Sequence, residues 1–171
     1  MMSKTLPLLH GNITLESALD DDDNMLQALT YPQERFEYFV YLWTHRIEIE
    51  SIVSFHLGLK EREICQIGEV KDWMAGSFNV CIPVRVNMGG SCCKRVIIRF
   101  PLLYKVGESQ YPGNADEKIR SEAATFIWIQ ENCPTIPIPY LWGFGLPDGT
   151  SVCIQSDLFP NSLSDHMLTY L

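Results

Sequence analysis

From residue 31 the chain turns from an irregular mixture of polar and apolar residues into a periodic one. Phe36, Phe39, Val40, Trp43, Ile47, Ile52 and Val53 recur at spacings close to three and four, the pattern of an amphipathic helix. Pro32 suits a first helical turn, Glu34 lies near the positive end of the dipole, and Gly58 is a C-terminal stop. The spacing predicts one helix from Pro32 to about Leu57. His45 and His56 fall inside it and read as surface or boundary residues of the helix, not as catalytic or metal groups.

Between Cys65 and Phe100 the period shortens to two. EICQIGEV, VCIPVRVN and KRVIIRF read as three consecutive antiparallel strands, the last two joined through Asn87, Met88, Gly89, Gly90 and Ser91. YKVGESQYPGNAD is a polar loop, and Asp116 can cap a helix through Asn132 with Ile119, Ala123, Phe126, Ile127 and Ile129 or Gln130 on its buried stripe. Pro134, Pro137 and Pro139 impose an extended connector. YLWGFG and TSVCIQSDL flank the turn Leu146 to Gly149 as a fourth and fifth strand. The closing NSLSDHMLTYL reads as a helix start with Ser164 or Asp165 as cap.

The order of helix, three strands, helix and two strands predicts an α+β fold. It has the plan of a protein-kinase-like N-terminal lobe: a five-stranded antiparallel sheet, one helix packed on it and an additional N-terminal helix. Residues 1–30 form a loosely ordered segment in this reading, 31–160 the lobe, and 161–171 a tail where a hinge and catalytic lobe would begin.

Composition narrows the function classes. With 171 residues, 46% of them hydrophobic, the chain can build one sizeable core. A net charge of -8 argues against nucleic-acid and anionic-membrane surfaces, which ask for clustered Lys and Arg. The run Asp20 to Asp23 reads as a solvated turn or tail and lacks the alternating ligands of a calcium loop. No apolar stretch approaches a bilayer span and the N-terminus lacks a secretory core, so an intracellular, cytoplasmic protein is expected. The six cysteines include no C-x-x-C pair and read as reduced thiols; the neighbours Cys92 and Cys93 are the one candidate pair for thiol or metal chemistry.

Three features point to phosphate chemistry. The turn Gly76, Ser77, Phe78, Asn79 between the first two strands is tight enough for backbone N–H groups to approach phosphate oxygens, although an ordinary hairpin turn uses the same residues. Arg99 on RVIIRF stands where V-A-I-K motifs place their Lys and can balance phosphate charge. Glu122, one turn inside the following helix, can hold that cation in place, and the same pair can equally be a clasp between helix and sheet.

The run from GSFNVCIPVRV through RVIIRFPLLYKVGE to SEAATFIWIQENCPTIPIPYLWGFG resembles the N-terminal lobe of the aminoglycoside phosphotransferase superfamily, particularly its fungal branch. The similarity covers about Glu34 to Asp157 and is most specific in the E-A-A helix, the I-P-I-P connector and the W-G-F-G strand. It implies ATP and Mg²⁺ as cofactors, phosphoryl transfer to a small-molecule hydroxyl, and nucleotide contacts at Gly76, Ser77, Phe78, Asn79, Arg99 and Glu122. In that superfamily the acceptor-activating Asp, a following Asn and a metal-binding Asp lie in the second lobe. No H-G-D or D-F-G motif occurs in these 171 residues, so no catalytic or metal-ligating residue is assigned and phosphotransferase turnover by this chain is not expected. The acceptor is unspecified, and nucleotide affinity is expected to be weak. The rival expectation is a non-catalytic, pseudokinase-like interaction module that dimerises or binds a partner through an exposed lobe face.

Overall fold

The computed structural model describes residues 5–7, 12–14, 29–87, 93–154 and 166–169. Two units divide the chain, Met1–Gln33 and Glu34–Leu171. In the first, β1 (Thr5–Pro7) and β2 (Asn12–Thr14) pair antiparallel. The Asp20–Asp23 run, Cys92 and Ser164–Asp165 lie outside the described residues.

From Tyr31 the chain forms α1 (Tyr31–Thr44), α2 (Arg46–His56), β3 (Ile64–Ile67), β4 (Met74–Ala75), β5 (Asn79–Asn87) and β6 (Cys93–Pro101). They are followed by α3 (Asn114–Asn132), β7 (Tyr140–Gly145), β8 (Ser151–Cys153) and β9 (His166–Thr169). The fold is α+β, as the pattern predicts, with differences in detail. The N-terminal helix is two helices separated at His45, and Gly58, at φ 60°, follows the end of the second.

Among the described residues the sheet has seven strands where five were expected, in the order β3-β5-β6-β9-β7-β8, with β4 also paired to β5. The strand expected from Glu63 to Val70 stops at Ile67 because its neighbour carries Pro83, which has no N–H to donate. Gly68 N–H donates to Pro83 O at 2.7 Å. The chain then detours through a 3₁₀ turn at Val70–Asp72 and rejoins the sheet as β4.

The antiparallel expectation also fails at one place. His166–Thr169, expected near a helix start in a tail, forms β9 and runs parallel to both β6 and β7. β9 joins the β3-β5-β6 and β7-β8 portions through backbone hydrogen bonding.

Alternation along the strands sorts the two faces. Val80, Ile82, Val84 and Val86 of β5, with Val96, Ile98 and Phe100 of β6, are buried against Leu42, Ile49 and Val53 of α1 and α2. Their intervening neighbours Cys81 and Arg99 are paired in register and point to the opposite face. In α3 the buried positions are Ala115, Ile119 and Ala123, whereas Phe126 and Ile127 are only half-buried. Among the described residues, no helix is long and apolar enough to cross a membrane.

The helical stripe read from the sequence proves to be two interleaved stripes. Phe39, Leu42, Ile49, Ile52 and Val53 pack on the core. Phe36, Val40 and Ile47 face solvent, with Phe36 64% and Ile47 66% exposed, and Trp43 lies at the boundary, partly exposed with its ring centroid 6.5 Å from that of the core residue Trp73. Both sets satisfy helical spacing, and the position of the sheet selects between them.

Candidate phosphate-binding site

The hairpin between β4 and β5 places Gly76, Ser77 and Phe78 at its tip. Gly76 N–H donates to Asn79 O at 2.8 Å, closing the turn, and Leu102 N–H donates to Phe78 O at 2.8 Å, fixing the tip to the residue that follows β6. A Cβ built on Gly76 would meet only Asn79 O, at 3.8 Å. The glycine is therefore not demanded by the backbone; it leaves the approach to the turn open.

Beneath the tip is a cavity of about 370 Å³, lined by Gly76, Ser77, Phe78, Asn79, Cys81, Arg99, Lys118 and Glu122. All six residues selected from the sequence thus lie on one concave surface. Arg99 Nη2 donates to Glu122 Oε1 at 3.2 Å, and both side chains are largely buried. The helix partner expected for Arg99 is in place.

Lys118 was not selected from the sequence. It is four residues before Glu122 on the same helical face, a spacing that brings side chains together, and the sequence carried that signal. Its ammonium donates to Glu122 Oε1 and to Asn79 Oδ1, the latter at 3.1 Å. Asn79 is itself buried. One carboxylate therefore serves two cations, and the local balance is one positive charge. Glu122 Oε2 is buried with no hydrogen-bond partner among the described residues, leaving one acceptor of the group unused.

Cys81 reports on the same environment. Burial pushes its thiol up, Arg99 opposes the shift, and Glu122 adds to it. A neutral thiol beside two cations adds no negative charge to compete with an anionic ligand.

The helix bearing Lys118 and Glu122 is anchored by a carboxylate the sequence did not single out. The expected cap, Asp116, instead accepts from Arg120 Nε at 2.8 Å within the helix. Glu108 caps the N-terminus: its two oxygens accept from Gly113 N–H and Ala115 N–H at 2.6 and 2.7 Å. The polar loop thereby folds back and satisfies donors the first turn leaves open.

The chemistry of this lining fits a phosphate group: an Arg fork, a Lys ammonium and a hairpin tip converge on one concavity. Its fit to a divalent metal is narrower. Among the described residues Glu122 is the one carboxylate lining the cavity, and no group of three or more His, Cys, Asp or Glu there could hold a metal. Mg²⁺ commonly takes one or two carboxylates and completes its shell with phosphate and water, so here it would enter as a nucleotide complex.

Compared with protein-family models, curated proteins and solved structures, the chain matches none. Function is therefore read from the residues of the pocket.

Proposed function

We propose that this chain is a nucleotide-phosphate-binding lobe resembling the small lobe of aminoglycoside-phosphotransferase-like kinases. The observation that carries the reading is the shared carboxylate. Glu122 holds both Arg99 and Lys118 beneath the Gly76–Asn79 hairpin, so that two cations are positioned before an anion arrives. In this reading Arg99 and Lys118 contact phosphate oxygens, Glu122 orients them, and the hairpin tip covers the phosphates. Transfer of the γ-phosphoryl group to a small-molecule hydroxyl would need carboxylates to orient the acceptor and hold Mg²⁺. No H-G-D motif occurs in these 171 residues, and the activity proposed for them is nucleotide-phosphate binding.

Calorimetric titration with MgATP, and with inorganic triphosphate as a base-free probe, tests the reading. Affinity should be weak, because an adenine site ordinarily buries most of its ligand between opposed walls. A charge-assisted hydrogen bond contributes about 1.5–3 kcal/mol, so Arg99→Ala and Lys118→Ala should each weaken binding by about tenfold or more. Failure of both ligands to bind at millimolar concentration, or equal binding by both folded variants, would overturn it.

A second reading rests on the exposed row Phe36, Val40, Trp43 and Ile47. Spaced by four, three and four, these residues present a continuous apolar stripe along α1 and into α2. We propose it as the contact face of a non-catalytic interaction module that self-associates. Light scattering after size-exclusion chromatography tests this: a concentration-dependent dimer that Phe36→Glu abolishes supports it, and a monomer throughout counts against it.

A further inference from the structure

The end of α2 and the edge strand β8 bring together three side chains that the phosphate pocket does not use. His56 is 7% exposed, yet its ring is satisfied at both nitrogens. Nε2 lies 2.8 Å from Ser151 Oγ, and Nδ1 lies 3.3 Å from Cys153 Sγ. Ser151 and Cys153 are two apart on β8 and so share a face of the sheet. β8 is the last strand of the order, and Cys153 is exposed.

A glycine makes room for the ring. Gly143 of β7 pairs directly with Cys153, and a Cβ there would collide with the His56 imidazole and come within 2.5 Å of Val152 O. The sheet omits a side chain where the imidazole must lie to reach β8.

We propose that Cys153, His56 and Ser151 form a reactive-thiol site that exchanges with low-molecular-weight disulfides. In the tautomer carrying its proton on Nε2, His56 donates to Ser151 Oγ and presents Nδ1 as acceptor to the Cys153 thiol. Burial lowers the proton affinity of His56, so the imidazole is neutral at neutral pH and meets the Cys153 thiol as an acceptor; the same burial disfavours a lasting imidazolium, and the proton rests on the ring only while the exchange proceeds. As a disulfide approaches, the thiol proton passes to Nδ1, and the Cys153 sulfur attacks one sulfur of the disulfide. A new S–S bond forms, the old S–S bond breaks, and the departing thiolate recovers the proton from His56. The balance is one protein thiol plus one disulfide giving one mixed disulfide plus one small thiol, with the disulfide as its own oxidant. Ser151, bonded to the far nitrogen, orients the ring as a third group orients the base in other nucleophile–base pairs. Exchange at sulfur asks for a thiolate and an open line of approach, and an exposed residue on an edge strand supplies the second.

The other cysteines provide internal references. Burial is the leading cause that pushes the Cys65 thiol up to about 11, and Cys133 is half-buried. A thiol is only a few per cent thiolate at pH 7, so a base within hydrogen-bond reach that takes the proton as the disulfide approaches can raise the exchange rate by about tenfold or more.

The experiment exposes the fully reduced chain to oxidised glutathione at pH 7 and follows the mixed disulfide at each cysteine by peptide mass mapping. Cys153 should be modified about tenfold faster than Cys133. His56→Gln should bring it to the Cys133 rate, and Ser151→Ala, at an exposed position, should slow it several-fold without altering the near-ultraviolet circular dichroism. The proposal is overturned if Cys153 in the unaltered chain reacts no faster than Cys133, or if either variant that keeps its native spectrum reacts at the unaltered rate. Should His56→Gln fail to fold, Ser151→Ala and the comparison within the unaltered chain decide the matter.

Discussion

Lys118 Nζ donates to Asn79 Oδ1 across 3.1 Å, tying the helix α3 to the first residue of the strand that leaves the hairpin tip. Because Asn79 is buried, loss of the ammonium leaves its carbonyl oxygen without that partner and removes one of the two cations on Glu122. An unsatisfied buried acceptor costs about 1–3 kcal/mol. Lys118→Met should lower the free energy of unfolding in urea by about that amount, and a double-mutant cycle with Asn79→Ala should give a coupling near 1 kcal/mol. Additive effects would show that the contact holds nothing together.

Two glycines that look alike in sequence should respond differently. Gly143→Ala introduces a Cβ into the His56 ring and against Val152 O, whereas Gly76→Ala meets nothing closer than 3.8 Å. Overpacking of this kind costs about 1–3 kcal/mol. Thermal unfolding should therefore show a marked loss for Gly143→Ala and a change within about 0.5 kcal/mol for Gly76→Ala. With its fold preserved, the second variant also reports on nucleotide binding free of stability effects.

Glu108 should prove to be the cap of α3. Substitution by Ala removes both acceptors for Gly113 N–H and Ala115 N–H, and loss of a cap costs about 0.5–2 kcal/mol. Hydrogen exchange should speed up selectively in the first turn of α3 in Glu108→Ala. Asp116→Ala, which loses the Arg120 contact on a more exposed face, should leave those amides protected.

The acid side of the stability profile should carry the signature of His56. Burial lowers its native proton affinity, so the unfolded chain takes up that proton first as the pH falls. The stability this contributes is fully present above the unfolded-state value of about 6.5 and is lost as the pH drops through the lower native value. Cys153 and Ser151 face the ring from β8. Between pH 8 and pH 5 the urea midpoint of the unaltered chain should fall further than that of His56→Gln. Carboxylates titrate in both proteins, so the difference isolates the histidine, and parallel profiles would refute the assignment.

The elements were legible where local physics decides them. Periods of two and near 3.6, the stop at Gly58 and the turn Leu146–Gly149 are properties of neighbouring residues, and the structure forms them. The pocket was partly legible for the same reason. Arg99 and Cys81 are neighbours by strand register, and Lys118 and Glu122 by helical spacing.

What the sequence by itself determined is therefore the α+β composition of the chain, the positions of most elements, and the six residues that came to line one cavity. Tertiary structure alone decided the rest. Two apolar stripes on α1 and α2 had equal claims to burial until the sheet covered one. β9 took its place between β6 and β7 through backbone hydrogen bonds to distant strands, which leave no periodic trace. His56 met Ser151 and Cys153 across nearly a hundred residues because Gly143 left room for its ring, a proximity no local pattern encodes.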